Sequence, residues 1–206
     1  MNGLPSSLDI SAVTYNSAQW LDAFFDSLLA QKFPLAHITL HLRDHGSSDQ
    51  TLERLQRFES QYRAVFRAIH VSQGPNIGFG RGHNSHLVQC TSEFVLVTNV
   101  DLEFEADTLV TLTQQALRDA PEVVSWECRQ KPYEHPKDYH PVTGETLWSS
   151  SACVLFRTQA LREVGVTDIR RIARTGLVAT VPGRVPGAPV VAVRGDIDAL
   201  PITEDL

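Results

Sequence analysis

With 206 residues, the chain is long enough to bury a core as one domain with a small appendage. Hydrophobic residues make up 42% and charged residues 20%, and 18 Lys and Arg against 24 Asp and Glu give a net charge of −6. That balance argues against a nucleic-acid partner, whose binding surfaces run basic. No apolar stretch approaches the length of a transmembrane segment, and the opening MNGLPSSLDI has neither a basic n-region nor an apolar h-region. The expected location is therefore cytoplasmic, or peripheral at the inner membrane face.

In chain order, DISAVTY (9–15) reads as a buried strand. Asn16 and Ser17 can cap a helix whose Trp20, Leu21, Phe24, Phe25, Leu28 and Leu29 share one face. ITLHLRD (38–44) is a second strand, HGSSDQ (45–50) a turn, and a helix follows with Leu52, Leu55 and Phe58 to bury. A third strand is expected over 65–71, then the glycine-rich loop GPNIGFGRGHN (74–84) and a helix over 84–90. FVLVT (94–98) is the fourth strand, and Leu109, Leu112, Ala116 and Leu117 mark the next helix. VVSWE (123–127) and SACVLFR (151–157) are strands flanking a polar loop over 129–146, and TQALREVG (158–165) is a short helix. Repeated strand–helix alternation predicts an α/β fold with a mainly parallel sheet. Ligands of such sheets bind outside the carboxyl ends of the strands, here TYNS, RDHGSSD and TNVDLE.

At the last of these ends, Asp101 and Glu103 are two apart, so in extended backbone both carboxylates face one side. Two readings are open there: a Mg or Mn site built from hard oxygen donors, or a strand terminus whose Asn99 and Asp101 make a turn. The glycine-rich loop offers N–H groups and Arg81 to an anion, yet matches neither the dinucleotide fingerprint nor a Walker loop. His83 and His86 lack the acid of an HExxH pattern, His135 and His140 lie in the long loop beside Glu134 and Asp138, and both pairs read as surface or supporting polar groups rather than zinc ligands. His37 and His41 read as packing residues on one strand face. Cys90, Cys128 and Cys153 are odd in number and far apart, which argues against a disulfide framework or a thiolate zinc knot.

Five segments together resemble a known family. SAVTYNS, RDHGSSDQTLERL, NIGFGRGHN, LVTNVDLEFEADTL and SSACVLFRTQALREVG stand in the order of the family-two inverting glycosyltransferases, nearest the rhamnosyltransferase-like branch, over residues 8–165. The resemblance implies the GT-A fold, a Rossmann-like three-layer sandwich, here cut short on its C-terminal side. It also implies sugar transfer, with inversion, from a UDP- or dTDP-linked donor to a glycan or lipid-linked acceptor hydroxyl. Thr14, Tyr15 and Asn16 would border the nucleotide. Asp44 and Ser47, in the family's D-x-x-S-x-D turn, would contact base or ribose. Asn76, Gly78, Phe79 and Asn84 would wall the diphosphate. Asn99 and Asp101 would fill the D-x-D or N-x-D site, with Asp101 and Glu103 holding a divalent cation, Mg or Mn.

Where the family continues into G-x-F-D-E and an acidic pair that supplies the catalytic base, this chain reads VTDIRRIARTGLVATVPG. Residues 166–206, with VVAVRGDIDALPITE, resemble the start of zinc-dependent aminoacylase and carboxypeptidase-type amidohydrolases, in which Asp198 would stand near the metal. The expected organisation is an incomplete transferase domain over 1–165 and an amidohydrolase-like stub over 166–206. Two further readings follow: a donor-binding remnant without catalysis, and a fragment of an N-acyl amino acid amidohydrolase.

Overall fold

The computed structural model describes residues 3–163 except 133, 135 and 147, together with 168–172 and 176–180. Six strands form one sheet: β1 (Leu8–Thr14), β2 (Ile38–Asp44), β3 (Ala68–Gln73), β4 (Phe94–Thr98), β5 (Ser125–Glu127) and β6 (Cys153–Arg157). Their order is β3-β2-β1-β4-β6-β5; the first four run parallel, and β6 and β5 are antiparallel additions beside β4. Helices α1 (Ala18–Leu29), α2 (Thr51–Tyr62), α3 (Phe79–Leu87), α4 (Thr108–Arg118) and α5 (Thr158–Glu163) fill the connections.

This order has a functional consequence. The chain steps outward from β1 to β2 to β3, then α3 carries it back across to β4 on the other side of β1. The order therefore reverses between β1 and β4, and the crevice beyond their carboxyl ends is where open α/β sheets bind ligands.

Strand alternation explains how the sheet is covered. In β1 and β2 the apolar set Leu8, Ile10, Ala12 and Ile38, Leu40, Leu42 is fully buried. It belongs to one core with Phe24, Phe25 and Leu28 of α1 and Leu55 and Phe58 of α2, where Phe25 and Phe58 stack at 3.7 Å. The alternate residues Asp9, Ser11 and His41 are polar and equally buried, with Ser11 directly beside His41 in the parallel register. That second face is capped by α3 through hydrogen bonds described below.

Several boundaries differ from the sequence reading. Helix α3 starts at Phe79, inside the expected glycine-rich loop, because Gly78 takes φ 87° just before it and the following residues turn helical at once. Gly82 lies within that helix for a packing reason: a Cβ there would sit 2.8 Å from Val13 Cγ2 and 2.9 Å from the His45 ring. Strand β3 begins three residues later than expected and runs to Gln73. Trp20, expected to pack with its helix face, is 47% exposed, and Leu117 is 37% exposed. His37 belongs to a short 3-10 turn (Leu35–His37) and is exposed, so it does not share a strand face with His41.

The chain divides into two compact units, Met1–Arg162 and Glu163–Leu206. In the second, β7 (Asp168–Ile172) and β8 (Gly176–Thr180) form an antiparallel pair with Asp168 opposite Thr180. Residues 181–206, including the D-x-D-A-L-P motif and Asp198, lie outside the described residues.

Candidate functional site

At the carboxyl end of β1 the chain turns sharply at Asn16, which takes φ 49°, a left-handed conformation that Asn tolerates better than most residues. Its side chain and backbone both reach the neighbouring turn after β2. Asn16 Oδ1 accepts from Ser48 N at 2.9 Å, and Asn16 N donates to Ser47 Oγ at 2.8 Å. Ser17 N donates to Thr51 Oγ1 and Ala18 N to Asp49 Oδ2, so the first turn of α1 is capped by residues leading into α2. The two strand ends are thereby locked together.

Asp44 is fully buried beneath this lock. Its carboxylate accepts from Gly46 N and Ser47 N at 3.0 Å each and from the Ser47 hydroxyl. The carboxylate expected to contact base or ribose is thus engaged by its own turn, which holds Ser47 in place beside Asn16. Thr14 is likewise buried, with its hydroxyl donating to Arg43 O.

The open part of the edge lies at the β1–β4 switch point. A cleft of about 280 Å³ brings together Tyr15, Asn16, Trp20, Phe79, Asn99 and Asp101. It adjoins a larger cavity of about 620 Å³ that shares Trp20, Asn99 and Asp101 and adds Glu103, Cys128, Arg129, Lys131 and Cys153. Asp101 and Glu103 are both exposed, and Asn99 N is fixed by Ala152 O at 2.9 Å. Five of the expected residues thus meet in one cleft, and Glu103 lines the second. Asn76, Gly78 and Asn84 line neither cavity; Asn76 instead accepts from Gly78 N and shapes the entry to α3.

Sequence reasoning missed Trp20, whose exposed ring stands between the two cavities, and the long-loop cations Arg129 and Lys131. Arg129 pairs with Glu134 and lies 4.3 Å over the Tyr139 ring. Glu127 is ion-paired with Lys137 and hydrogen-bonded to Ser150; burial pushes its carboxyl up, but these partners outweigh it and hold it below the usual value. The loop is therefore anchored to β5 by charge.

Two cysteines far apart in sequence meet here. Cys128 and Cys153 are neighbours across the antiparallel β5–β6 edge, with Sγ atoms 3.2 Å apart. The hydrogen bond from Cys153 pulls the Cys128 thiol down while its own is raised. His140 of the loop is exposed, its Nδ1 accepting from Thr143 N, and His135 lies outside the described residues.

His83 and His86 are not surface groups, as the sequence suggested. Both are buried, and both Nδ1 atoms lie 2.7 Å from the single hydroxyl of Ser11. Burial drives the His83 ring down to about 4, with His45 adding repulsion.

Comparison with known proteins bears on the family and the fold. Residues 10–168 match the family described as glycosyl transferase family 2. Over 96 residues the chain is 29% identical to the poly(ribitol-phosphate) beta-N-acetylglucosaminyltransferase TarS of Staphylococcus aureus. That stretch is 47% of this chain and 16% of TarS. Among solved structures, the mannosyltransferase PcManGT from Pyrobaculum calidifontis, in complex with GDP-Man and Mn2+, superposes with a TM-score of 0.64 at 20% identity. The match covers 79% of this chain and 47% of that one. TarS 1–349 in complex with UDP-GlcNAc gives 0.58 at 24% identity, over 76% of this chain and 47% of that one. The six-stranded, mostly parallel sheet is thus the GT-A sheet of these proteins. The chain belongs to glycosyl transferase family 2. It spans about half the length of the structures it matches.

Proposed function

We propose that the β1–β4 crevice binds a nucleotide-diphosphate sugar, UDP- or dTDP-linked, and that the sugar is transferred with inversion to a hydroxyl of a glycan or lipid-linked acceptor. The observation that carries this reading is the single cleft in which Tyr15, Asn16, Phe79, Asn99 and Asp101 converge at the switch point. UDP and UDP-GlcNAc bound to TarS, and GDP-Man bound to PcManGT, support a nucleotide-sugar ligand.

A divalent cation fits the residues present: Asp101 offers an exposed carboxylate to both cavities, Glu103 offers one to the larger, and hard oxygen donors suit Mg or Mn. When bound, such an ion neutralises charge on the departing diphosphate. The chain's own residues do the positioning. Asn16, braced by Ser47 and Ser48, fixes the nucleotide side of the cleft, and the exposed Trp20 and Phe79 rings supply flat apolar walls for stacking. The larger cavity, with Arg129 and Lys131, is the acceptor side. Transfer also requires a base for the acceptor hydroxyl. The sequence departs from the family pattern in the segment that supplies it, which keeps donor binding without turnover as the second reading.

Two experiments in sequence test the two readings. Melting the full chain with UDP, dTDP and GDP, with and without manganese, should show a manganese-dependent upward shift for UDP or dTDP that Asp101→Ala abolishes. No shift with any nucleotide would remove both. Mass-detected transfer from a panel of nucleotide sugars then decides on catalysis, and Asp101→Ala should lower any observed rate at least about 100-fold.

A further inference from the structure

A second polar cluster lies away from the donor cleft, toward the amino end of the same strands. Asp9 of β1, His41 of β2 and Cys90, three residues past the end of α3, are 1%, 2% and 1% exposed. One carboxylate oxygen, one imidazole nitrogen and the thiol sulfur all lie within 4.8 Å of one another. We propose that these three residues form a zinc-binding site, separate from any cation at Asp101.

Chemistry and geometry argue this together. A thiolate, an imidazole and a carboxylate are the donor set zinc takes, whereas Mg and Mn prefer oxygen alone. The carboxylate is already held as a metal ligand's would be: Asp9 Oδ2 accepts from Thr91 N at 2.9 Å and Ser92 N at 2.8 Å, and Oδ1 faces His41 Nε2 at 2.7 Å. Cys90 keeps the helical turn, its N–H donating to His86 O at 3.1 Å, so His86 stands at i, i+4 to it. His86 is 3% exposed, its Nε2 has no hydrogen-bond partner, and its ring is 5.6 Å from that of His41. A buried nitrogen without a partner is costly. His86 is not one of the three donors that lie within 4.8 Å of one another, so its ring lines the site and the fourth position is left to an exogenous ligand such as water.

Burial and the facing Asp9 carboxylate push the Cys90 thiol up to about 12, so the sulfur keeps its proton. Zinc would form a bond to that sulfur as the thiol proton leaves to solvent. The His41 proton, held on Nε2 by the Asp9 carboxylate, moves to Nδ1 so that Nε2 can ligate. Such an ion would tie β1, β2 and the end of α3 together, and α3 carries Phe79 into the donor cleft.

The test uses the full chain stripped with a chelator and titrated with cobalt(II) as the spectroscopic substitute for zinc. The expected result is one equivalent bound with the intense d–d bands of a four-coordinate site, a near-ultraviolet thiolate-to-cobalt band, displacement by zinc and a higher melting temperature. Cys90→Ser should lose the thiolate band, and the Cys128→Ser/Cys153→Ser double variant should keep it. No thiolate band in the unmodified chain, or a band that survives Cys90→Ser, overturns the proposal. Should Cys90→Ser not fold, zinc X-ray absorption of the unmodified chain decides: one sulfur in a nitrogen–oxygen shell supports the site, and none or two overturns it.

Discussion

Strands β1 and β2 carry two polar clusters that invite comparison, one inside the sheet and one at its carboxyl edge. The inner one joins Asp9, Ser11, His41, His83 and His86, all buried, and the Asp9 carboxylate is bonded on both oxygens. Burial pushes the Asp9 carboxyl up, but the hydrogen bonds from His41, Ser92 and Thr91 outweigh it and hold it below the ordinary value. At the outer edge, Asp44 and Ser47 are spent in the same inward way, while Asn99 and Asp101 face open cavities. The same residue types therefore hold the fold where they are enclosed and remain available for a ligand where the strands end.

The largest effect should come from breaking the inner cluster. Asp9→Ala leaves a buried imidazole and two backbone N–H groups without their acceptor and should cost about 3–5 kcal/mol in the metal-free chain. By contrast, Asp101→Ala should change stability by no more than about 0.5 kcal/mol, both read from denaturant midpoints. If the two cost the same, the division between enclosed and open clusters is wrong.

The cover over the inner cluster gives a next test in two neighbouring glycines. Gly82→Ala pushes a methyl into Val13 and His45 and should destabilise by about 1–3 kcal/mol. Gly80→Ala, with nothing within 4 Å, should stabilise the same helix by about 0.5–1 kcal/mol. Equal signs would mean that α3 is not pressed against β1.

A subtler contrast is in pH. His83 faces Ser11, His86, His45 and the Phe79 ring, and its folded value near 4 lies below the unfolded 6.5. Between those values the unfolded chain binds the extra proton, so stability falls as pH drops from about 6.5 toward 4. His83 contributes at most about 1.4 kcal/mol per pH unit to this slope, and His86, driven down to about 3, adds its own share. His83→Gln should flatten that slope in thermal melts across this range; an unchanged slope would remove His83 as its source.

Much of this was legible in the chain itself. Alternating apolar runs and helical faces gave the order of strands and helices, because periodicity is a local signal. The motif order, and the acids at the end of FVLVTNVDLEF, pointed to the strand end that lines both cavities. The inner cluster was not legible, because Asp9, His41, His83 and Cys90 are far apart in sequence and only the parallel register of β1 and β2, with α3 folded across them, makes them neighbours. The same holds for Cys128 beside Cys153, and for Trp20, whose exposure depends on what α1 does not touch.

Sequence by itself therefore determined an α/β chain of family-two type, and which strand end carries the acids. Tertiary structure decided which polar residues are enclosed, that Asp44 serves a turn, and that Asp101 opens onto two cavities. The reason is physical: local pattern fixes each element's period and faces, whereas burial and proximity arise only when distant elements pack.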